Sequence, residues 1–226
     1  LMDGLNVNAE VIVIGEPIKK VDFHVPLMSL IYLTTDQWNE IPSVPNYLSA
    51  PLDVQAKWDA AIGKNNDFCV GLVCSGNPRH ANDAARSLNM ATLLEALPAG
   101  PQYHLLQKDL RDEEAESLLT RKDVSSHHLE IEDFADTAAL CMRMDLIISV
   151  DTSVAHLAGA LGRPTIILLS AWPDWRWGLG RDQDVWYPNT RLLRQSKLND
   201  WQSVLTYLPF IISDKMKRFD SSLSVA

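Results

Sequence analysis

The stretch over residues 145–170, DLIISVDTSVAHLAGALGRPTIILLS, constrains the fold more than any other part of the chain. Residues 146–150 are a short apolar run rich in β-branched side chains, the pattern of a strand buried on both faces. Asp151, Thr152 and Ser153 are residue types that cap helix N-termini, and Val154, Leu157, Ala158 and Leu161 follow at helical spacing. Gly162 closes that helix, Arg163-Pro164 blocks its continuation, and residues 165–169 read as a second buried strand. Strand, helix and parallel strand make one βαβ unit. Its crossover sets the open helix N-terminus at the carboxyl edge of the sheet, where phosphate-bearing ligands bind in such folds.

The flanking sequence repeats the alternation. Residues 68–74 and 103–106 read as strands, residues 129–131 as at most a short one, and residues 191–193 as a last one. Helical patterns fall over residues 52–62, 90–97, 111–119, 136–144 and 201–207. Strands alternating with helices predict an α/β fold, a Rossmann-like parallel sheet with helices on both faces, over residues 51–212. Residues 1–50 read as an irregular lead-in or the remnant of a preceding domain. A candidate strand spans residues 11–14, a short helix follows Pro26, and Pro17, Pro42 and Pro45 punctuate the rest. Residues 213–226 read as a polar tail that frays from Asp214.

With 226 residues and 46% apolar content, the chain can build a real core and is not a disordered polymer. A net charge of −9, with no basic block, argues against a nucleic-acid partner, which requires clustered cations. The three cysteines, Cys69, Cys74 and Cys141, sit in or beside apolar runs, which predicts buried, reduced thiols and a cytoplasmic protein. No apolar run reaches 18 residues, so no membrane span is expected. The start, Leu-Met-Asp-Gly, lacks the basic region of a signal peptide and reads as though upstream sequence were missing.

Candidate binding residues gather at the predicted carboxyl ends of strands. After the first strand, Ser75, Gly76 and Asn77 offer donors to phosphate oxygens, while Arg79, His80 and Arg86 add positive charge. The loop holds about a dozen residues where βα connections usually take about 2 to 6, which favours function over a merely solvated connection. Lys108 follows the next strand, either to neutralise a diphosphate or as a solvated lysine. Asp151, Thr152 and Ser153 either cap their helix or present its amides to an anion, with Asp151 better suited to sugar hydroxyls than to phosphate. His156, one turn in, is a core histidine or a ligand contact. Residues 172–177 hold three tryptophans, which stack on a base or sugar or pack a crossing loop. Metal ligation has no support: His127 and His128 are adjacent and no CxxC is present. A nucleophile elbow and a dinucleotide GxGxxG turn are also missing, which removes a serine hydrolase and a nicotinamide dehydrogenase from the leading readings.

One ordered set of motifs goes further. Gly71-Leu-Val-Cys-Ser-Gly-Asn-Pro-Arg-His, Asn82-Asp83, Arg86-Ser87-Leu88, Leu106-Gln-Lys-Asp, Asp133-Phe-Ala-Asp-Thr-Ala, residues 149–164, Pro173-Asp-Trp-Arg-Trp and Trp186-Tyr-Pro occur in that order. Over about residues 20–207 the set resembles the C-terminal part of bacterial glycosyltransferases of family 9, the heptosyltransferase type, as found linked to tetratricopeptide repeats. The chain departs from that pattern at Cys74, Ala84 and Ala85, where the family tends to have tryptophan and arginines.

The resemblance implies the C-terminal, donor-binding domain of a GT-B glycosyltransferase, taking a nucleotide-diphosphate sugar without an obligatory metal. It would place Ser75, Gly76, Asn77, Arg86 and Lys108 near the diphosphate, and Asp151, Thr152, Ser153 and His156 near the donor sugar and phosphates. The acceptor would be a glycan, a lipid-linked saccharide or a protein. In that family the general base comes from an N-terminal domain, which residues 1–50 do not supply, so no catalytic residue is assigned. The other expectation is a non-catalytic nucleotide-sugar-binding or assembly module, a truncated or degenerate domain of the same fold.

Overall fold

The computed structural model describes residues 1–2, 5, 8–63 and 67–223. Six strands, β1 (Cys69–Val73), β2 (Gln102–Leu105), β3 (Val124–Ser126), β4 (Leu146–Val150), β5 (Thr165–Leu169) and β6 (Thr190–Arg194), form one sheet. Their order is β3-β2-β1-β4-β5-β6, and every pairing is parallel. This is the doubly wound, Rossmann-like order. It reverses direction between β1 and β4, and the connections leaving those two strands diverge to open a crevice at their carboxyl ends.

The helices are α1 (Leu30–Thr34), α2 (Leu52–Ile62), α3 (Asp83–Arg86), α4 (Met90–Glu95), α5 (Asp112–Leu118), α6 (Phe134–Met142), α7 (Ser153–Ala160), α8 (Gln202–Leu205) and α9 (Leu208–Leu223). Strand residues alternate between two cores. Val70, Leu72, Ile148, Val150, Ile166 and Leu168 pack with Leu93 and Leu94 of α4 and with Val204, Leu208 and Ile212 of α8 and α9. Their neighbours Cys69, Val73 and Ile147 pack on the opposite face with Trp58 of α2, Ala138 and Cys141 of α6, and Leu157 and Ala158 of α7. Both faces are covered, which is why the strands read as continuous apolar runs. All three cysteines are buried thiols, and burial pushes Cys69 up to about 11 and Cys141 to about 12. Among the described residues no helix is long and apolar enough to cross a membrane.

Three elements differ from the sequence reading. The edge strand β3 lies at Val124–Ser126 rather than at residues 129–131. Leu129 is exposed, and the His127 carbonyl takes the Glu130 and Ile131 amides into a turn. Residues 11–14 form no strand, and Val11, Val13 and Ile14 lie on the surface. The helix expected over residues 201–207 is the short α8. The polar tail expected after it is part of α9, because Ile212, Met216 and Phe219 recur at helical spacing and pack on the core while Asp214 and Arg218 stay outside. Residues 224–226 of that tail lie outside the described residues.

The β2 edge carries a pair of histidines with a pH consequence. His104, almost fully buried, stacks on His127 with centroids 5.4 Å apart, and its Nδ1 lies 3.1 Å from His127 Nε2. His127 Nδ1 lies 3.1 Å from the Glu130 carboxylate. With Glu130 accepting from His127 and His127 accepting from His104, the buried His104 Nε2 is left without a partner. Burial, then the positive potential of His127 and Arg143, lowers His104 to about 4. An unfolded histidine titrates near ~6.5, so between that pH and 4 the unfolded chain binds a proton the folded chain refuses. Stability therefore falls as pH drops through this window, by about 3 kcal/mol in total.

Asp184, raised to about 6 chiefly by burial, acts in the opposite sense below pH 6. A His104→Asn variant separates the two. In urea melts from pH 7 to pH 4.5, the stability difference between wild type and variant should shift by about 2 to 3 kcal/mol in favour of the variant. A difference that stays constant with pH would refute the assignment.

Candidate functional site

The crevice at the carboxyl ends of β1 and β4 opens into a cavity of about 910 Å³. Arg86, Asp151, Thr152, Ser153 and His156 line it from the connections after these strands. Trp175, Arg176, Trp186 and Tyr187 line it from the long connection after β5, and residues of α1 and the turn before it, together with Tyr47, complete the wall.

At its centre lies the N-terminus of α7. Thr152 is the N-cap in extended conformation but makes no side-chain cap, because its hydroxyl is engaged 3.2 Å from that of buried Ser149. The first-turn amides of Ser153 and Val154 therefore keep their partial positive charge, which attracts an anion with ~0.3 to 1 kcal/mol at exposed sites and up to ~2 when partly buried. At the other end α7 stops cleanly: the Gly162 and Arg163 amides return to the Gly159 and Ala158 carbonyls, with Gly162 at φ 68°.

Arg86 joins the two loops. Its Nη1 donates to the Asp151 carbonyl at 3.1 Å, its buried Nε lies 3.9 Å from the Asp83 carboxylate without a hydrogen bond, and its Nη2 makes no hydrogen bond among the described residues. Gly76 makes room for this: a Cβ there would lie 2.7 Å from Arg86 Nη2 and 3.3 Å from Thr152 Cγ2. Buried Asp83 anchors the same loop by accepting from Arg111 Nη2 at 2.6 Å and from the Ser87 hydroxyl at 2.8 Å.

Of the residues singled out in the sequence, the structure brings His80, Arg86, Asp151, Thr152, Ser153, His156 and Trp175 to one cavity. Gly76 stands behind them. Ser75 is buried, with its hydroxyl accepting from Gln107 Nε2 at 3.2 Å in a network that includes the Cys74 amide and Glu114. Asn77 accepts from the Arg79 amide through its side chain, and Lys108 donates to the Glu132 carbonyl. Ser75, Asn77 and Lys108 are outside the cavity lining.

His156 is held from both sides. Its ring stacks on buried Trp177 at 4.6 Å, and its Nδ1 lies 3.2 Å from the Tyr187 hydroxyl, which is in turn hydrogen-bonded with Tyr47. Burial lowers the histidine and raises Tyr187, so both are neutral near pH 7. The His156 ring itself lines the cavity. Tyr187 is seated against α7 at Gly159, where a Cβ would come within 2.3 Å of its ring. Tyr187→Phe should therefore weaken anion binding about tenfold without loss of fold, and Gly159→Ala, which displaces the ring, should weaken it more. The ¹⁵N shifts of His156 should move in both variants with loss of the Tyr187 contact; unchanged shifts would show that this contact does not set the state of the ring.

The tryptophans of residues 172–177 divide by burial. Trp177 packs inside, whereas Trp172 and Trp175 are 76% and 47% exposed. The contributions of Tyr47 and of Leu27, Met28, Leu30 and Ile31 went unforeseen, because these residues are distant in sequence from the βαβ unit they meet. Asn46, at φ 57°, seats its side chain against α7's end in a space that a glycine at 162 leaves open.

Residues 129–199 match the sequence model of Glycosyltransferase family 9 (heptosyltransferase). The family 9 segment runs from the turn before α6 through β6, and so contains α7 and the tryptophan loop but not the β1 loop. Protein FlbA of Caulobacter vibrioides is 34% identical over 73 residues, which are 32% of this chain and 12% of FlbA. Among solved structures, E. coli ADP-heptose lps heptosyltransferase II is similar at 15% identity and TM-score 0.46, over 76% of this chain and 52% of that one. The wall teichoic acid polymerase TagF is similar at 10% identity and TM-score 0.38, over 75% and 42%. The chain thus spans about half the length of heptosyltransferase II.

Proposed function

We propose that the chain is the donor-binding domain of a glycosyltransferase, holding a nucleotide-diphosphate sugar in the crevice between β1 and β4 for transfer to an acceptor hydroxyl. The observation that carries this reading is the meeting of the uncapped α7 N-terminus, Arg86 and His156 at one cavity, with α7 inside the family 9 segment. When the glycosidic bond to phosphate breaks, negative charge grows on the departing diphosphate. The Ser153 and Val154 amides and the Arg86 guanidinium are preorganised donors for that charge, with the His156 ring lining the same cavity. Asp151 accepts from sugar hydroxyls. Residues 51–212 form the donor domain, to which residues 1–50 add part of the cavity wall. Ser75 and Gly76 shape the β1 loop, while Asn77 and Lys108 support the site from outside the lining. The acceptor, a glycan, a lipid-linked saccharide or a protein, supplies the nucleophilic hydroxyl.

Isothermal titration with ADP, UDP and GDP and their sugar derivatives tests the reading. At least one should bind with a dissociation constant between about 1 μM and 1 mM, the range of ordinary enzyme substrates. No binding by any of them sinks it. A binding-only module is the second reading, favoured by Lys108, whose amine is taken up by the Glu132 carbonyl rather than facing the cavity. Donor hydrolysis or transfer that disappears in Asp151→Ala would decide for catalysis.

A further inference from the structure

A second cleft, of about 580 Å³, adjoins the first and shares Pro173, Asp174 and Trp175 with it. Its other walls include Trp38, Trp172 and Arg181. Trp172 is 76% exposed, and Trp38 and Trp175 meet at 6.3 Å with planes inclined by 54°, so they do not cover one another face to face. Indole surface left open to water in a concave place marks a binding site more often than a packing defect.

The polar groups in this cleft narrow the ligand. Asp174 uses one oxygen, Oδ1, for both the Arg176 amide at 3.0 Å and the Arg176 guanidinium at 2.8 Å, and its Oδ2 has no hydrogen-bond partner among the described residues. Arg181 lies over the Trp38 ring at 5.4 Å and forms no ion pair among the described residues. Arg176 likewise lies over the Trp175 ring at 5.1 Å, so the cleft offers the exposed indole of Trp172 and the remaining edges of Trp38 and Trp175, beside the Asp174 Oδ2 and the Arg181 guanidinium, which make no hydrogen bond with each other. A pyranose ring has the complementary chemistry: a C–H face that lies on an indole, and rim hydroxyls that both donate and accept.

We infer that this cleft is a sugar-ring subsite for the acceptor, lying next to the donor cavity across the Trp175 wall. The inference rests on reading the first cavity as the donor site. A phosphate-bearing ligand has its attraction there, at Arg86 and α7.

The test uses the full chain, the indole N–H resonances, and a panel of methyl hexopyranosides, methyl heptopyranosides and linear trisaccharides, with ADP and UDP titrated in parallel. At least one saccharide should shift the Trp172 and Trp38 indole signals. Trp172→Ala and Trp38→Ala should each weaken that saccharide tenfold or more and leave nucleotide affinity within about twofold. Trp172 projects into solvent, so its loss does not threaten the fold, and circular dichroism of both variants confirms this. Nucleotide binding without any saccharide response overturns the subsite while leaving the donor reading intact. Equal weakening of nucleotide and saccharide overturns it too, by assigning the cleft to the donor base, and so does uptake of a tryptophan- or proline-rich peptide in place of every saccharide.

Discussion

Arg86→Ala is expected to weaken nucleoside diphosphate binding about 100-fold. Hydrogen bonds to charged groups contribute ~1.5 to 3 kcal/mol, and each 1.4 kcal/mol is about tenfold in affinity. Two effects combine in this residue. The guanidinium lines the cavity beside the α7 N-terminus, and its bond to the Asp151 carbonyl also ties the two loops together. Arg86→Lys keeps the charge but cannot donate to the carbonyl and to an anion in the same planar geometry, so it should recover only part of the loss. Titration calorimetry on both variants, beside their thermal midpoints, measures this. An alanine variant within threefold of wild type would show that Arg86 only braces the loops.

The largest effect on stability is expected away from the cavity, at Asp136. This carboxylate, 5% exposed, accepts from Trp58 Nε1 at 2.9 Å, Lys57 Nζ at 2.8 Å and the Glu132 amide at 2.9 Å, and so clips α2 to α6. Burial opposes its ionisation, but the bonds from Lys57, Glu132 and Trp58 outweigh burial and hold it below the ordinary carboxylate range. Asp136→Ala strands a buried indole N–H and should cost about 3 kcal/mol, which for a chain of this size lowers the midpoint by roughly 6 to 12 °C. Lys57 is 45% exposed, and Lys57→Met should cost less than about 1 kcal/mol. The folded carboxyl titrates below the unfolded one, so this stabilisation is present above the unfolded value and is lost as pH falls below it. Equal losses in the two variants would overturn the view that the indole bond dominates.

What the sequence made legible follows from where information is local. β4, α7 and β5 appear where residues 146–169 place them, because a buried strand, a glycine-closed helix and a second buried strand each leave their own pattern. Gly162 is a case in which one residue foretold a backbone bond set. β3 was misplaced for a converse reason: Val-Ser-Ser at a sheet edge carries almost no hydrophobic signal, whereas Leu129 and Ile131 look like strand but belong to a turn. Helix α9 was hidden because its core-facing residues are diluted by lysines, aspartates and serines on the other face. In the site, residues one turn from a strand end were found, since topology alone carries them to the crevice. Reach was not legible. Whether Lys108 faces the cavity or the Glu132 carbonyl depends on a neighbouring loop, and the arrival of Tyr47 beside Tyr187 depends on contacts more than a hundred residues apart in sequence.

The central claim is a location: a diphosphate bound where the β1 and β4 connections meet. Amide ¹H–¹⁵N spectra recorded while ADP or UDP is titrated into the intact chain test it directly. The largest shifts should fall on Ser153 and Val154, with Gly76 and the Arg86 side-chain signals moving in step. Saturable binding with those signals unmoved and the largest shifts elsewhere would contradict it.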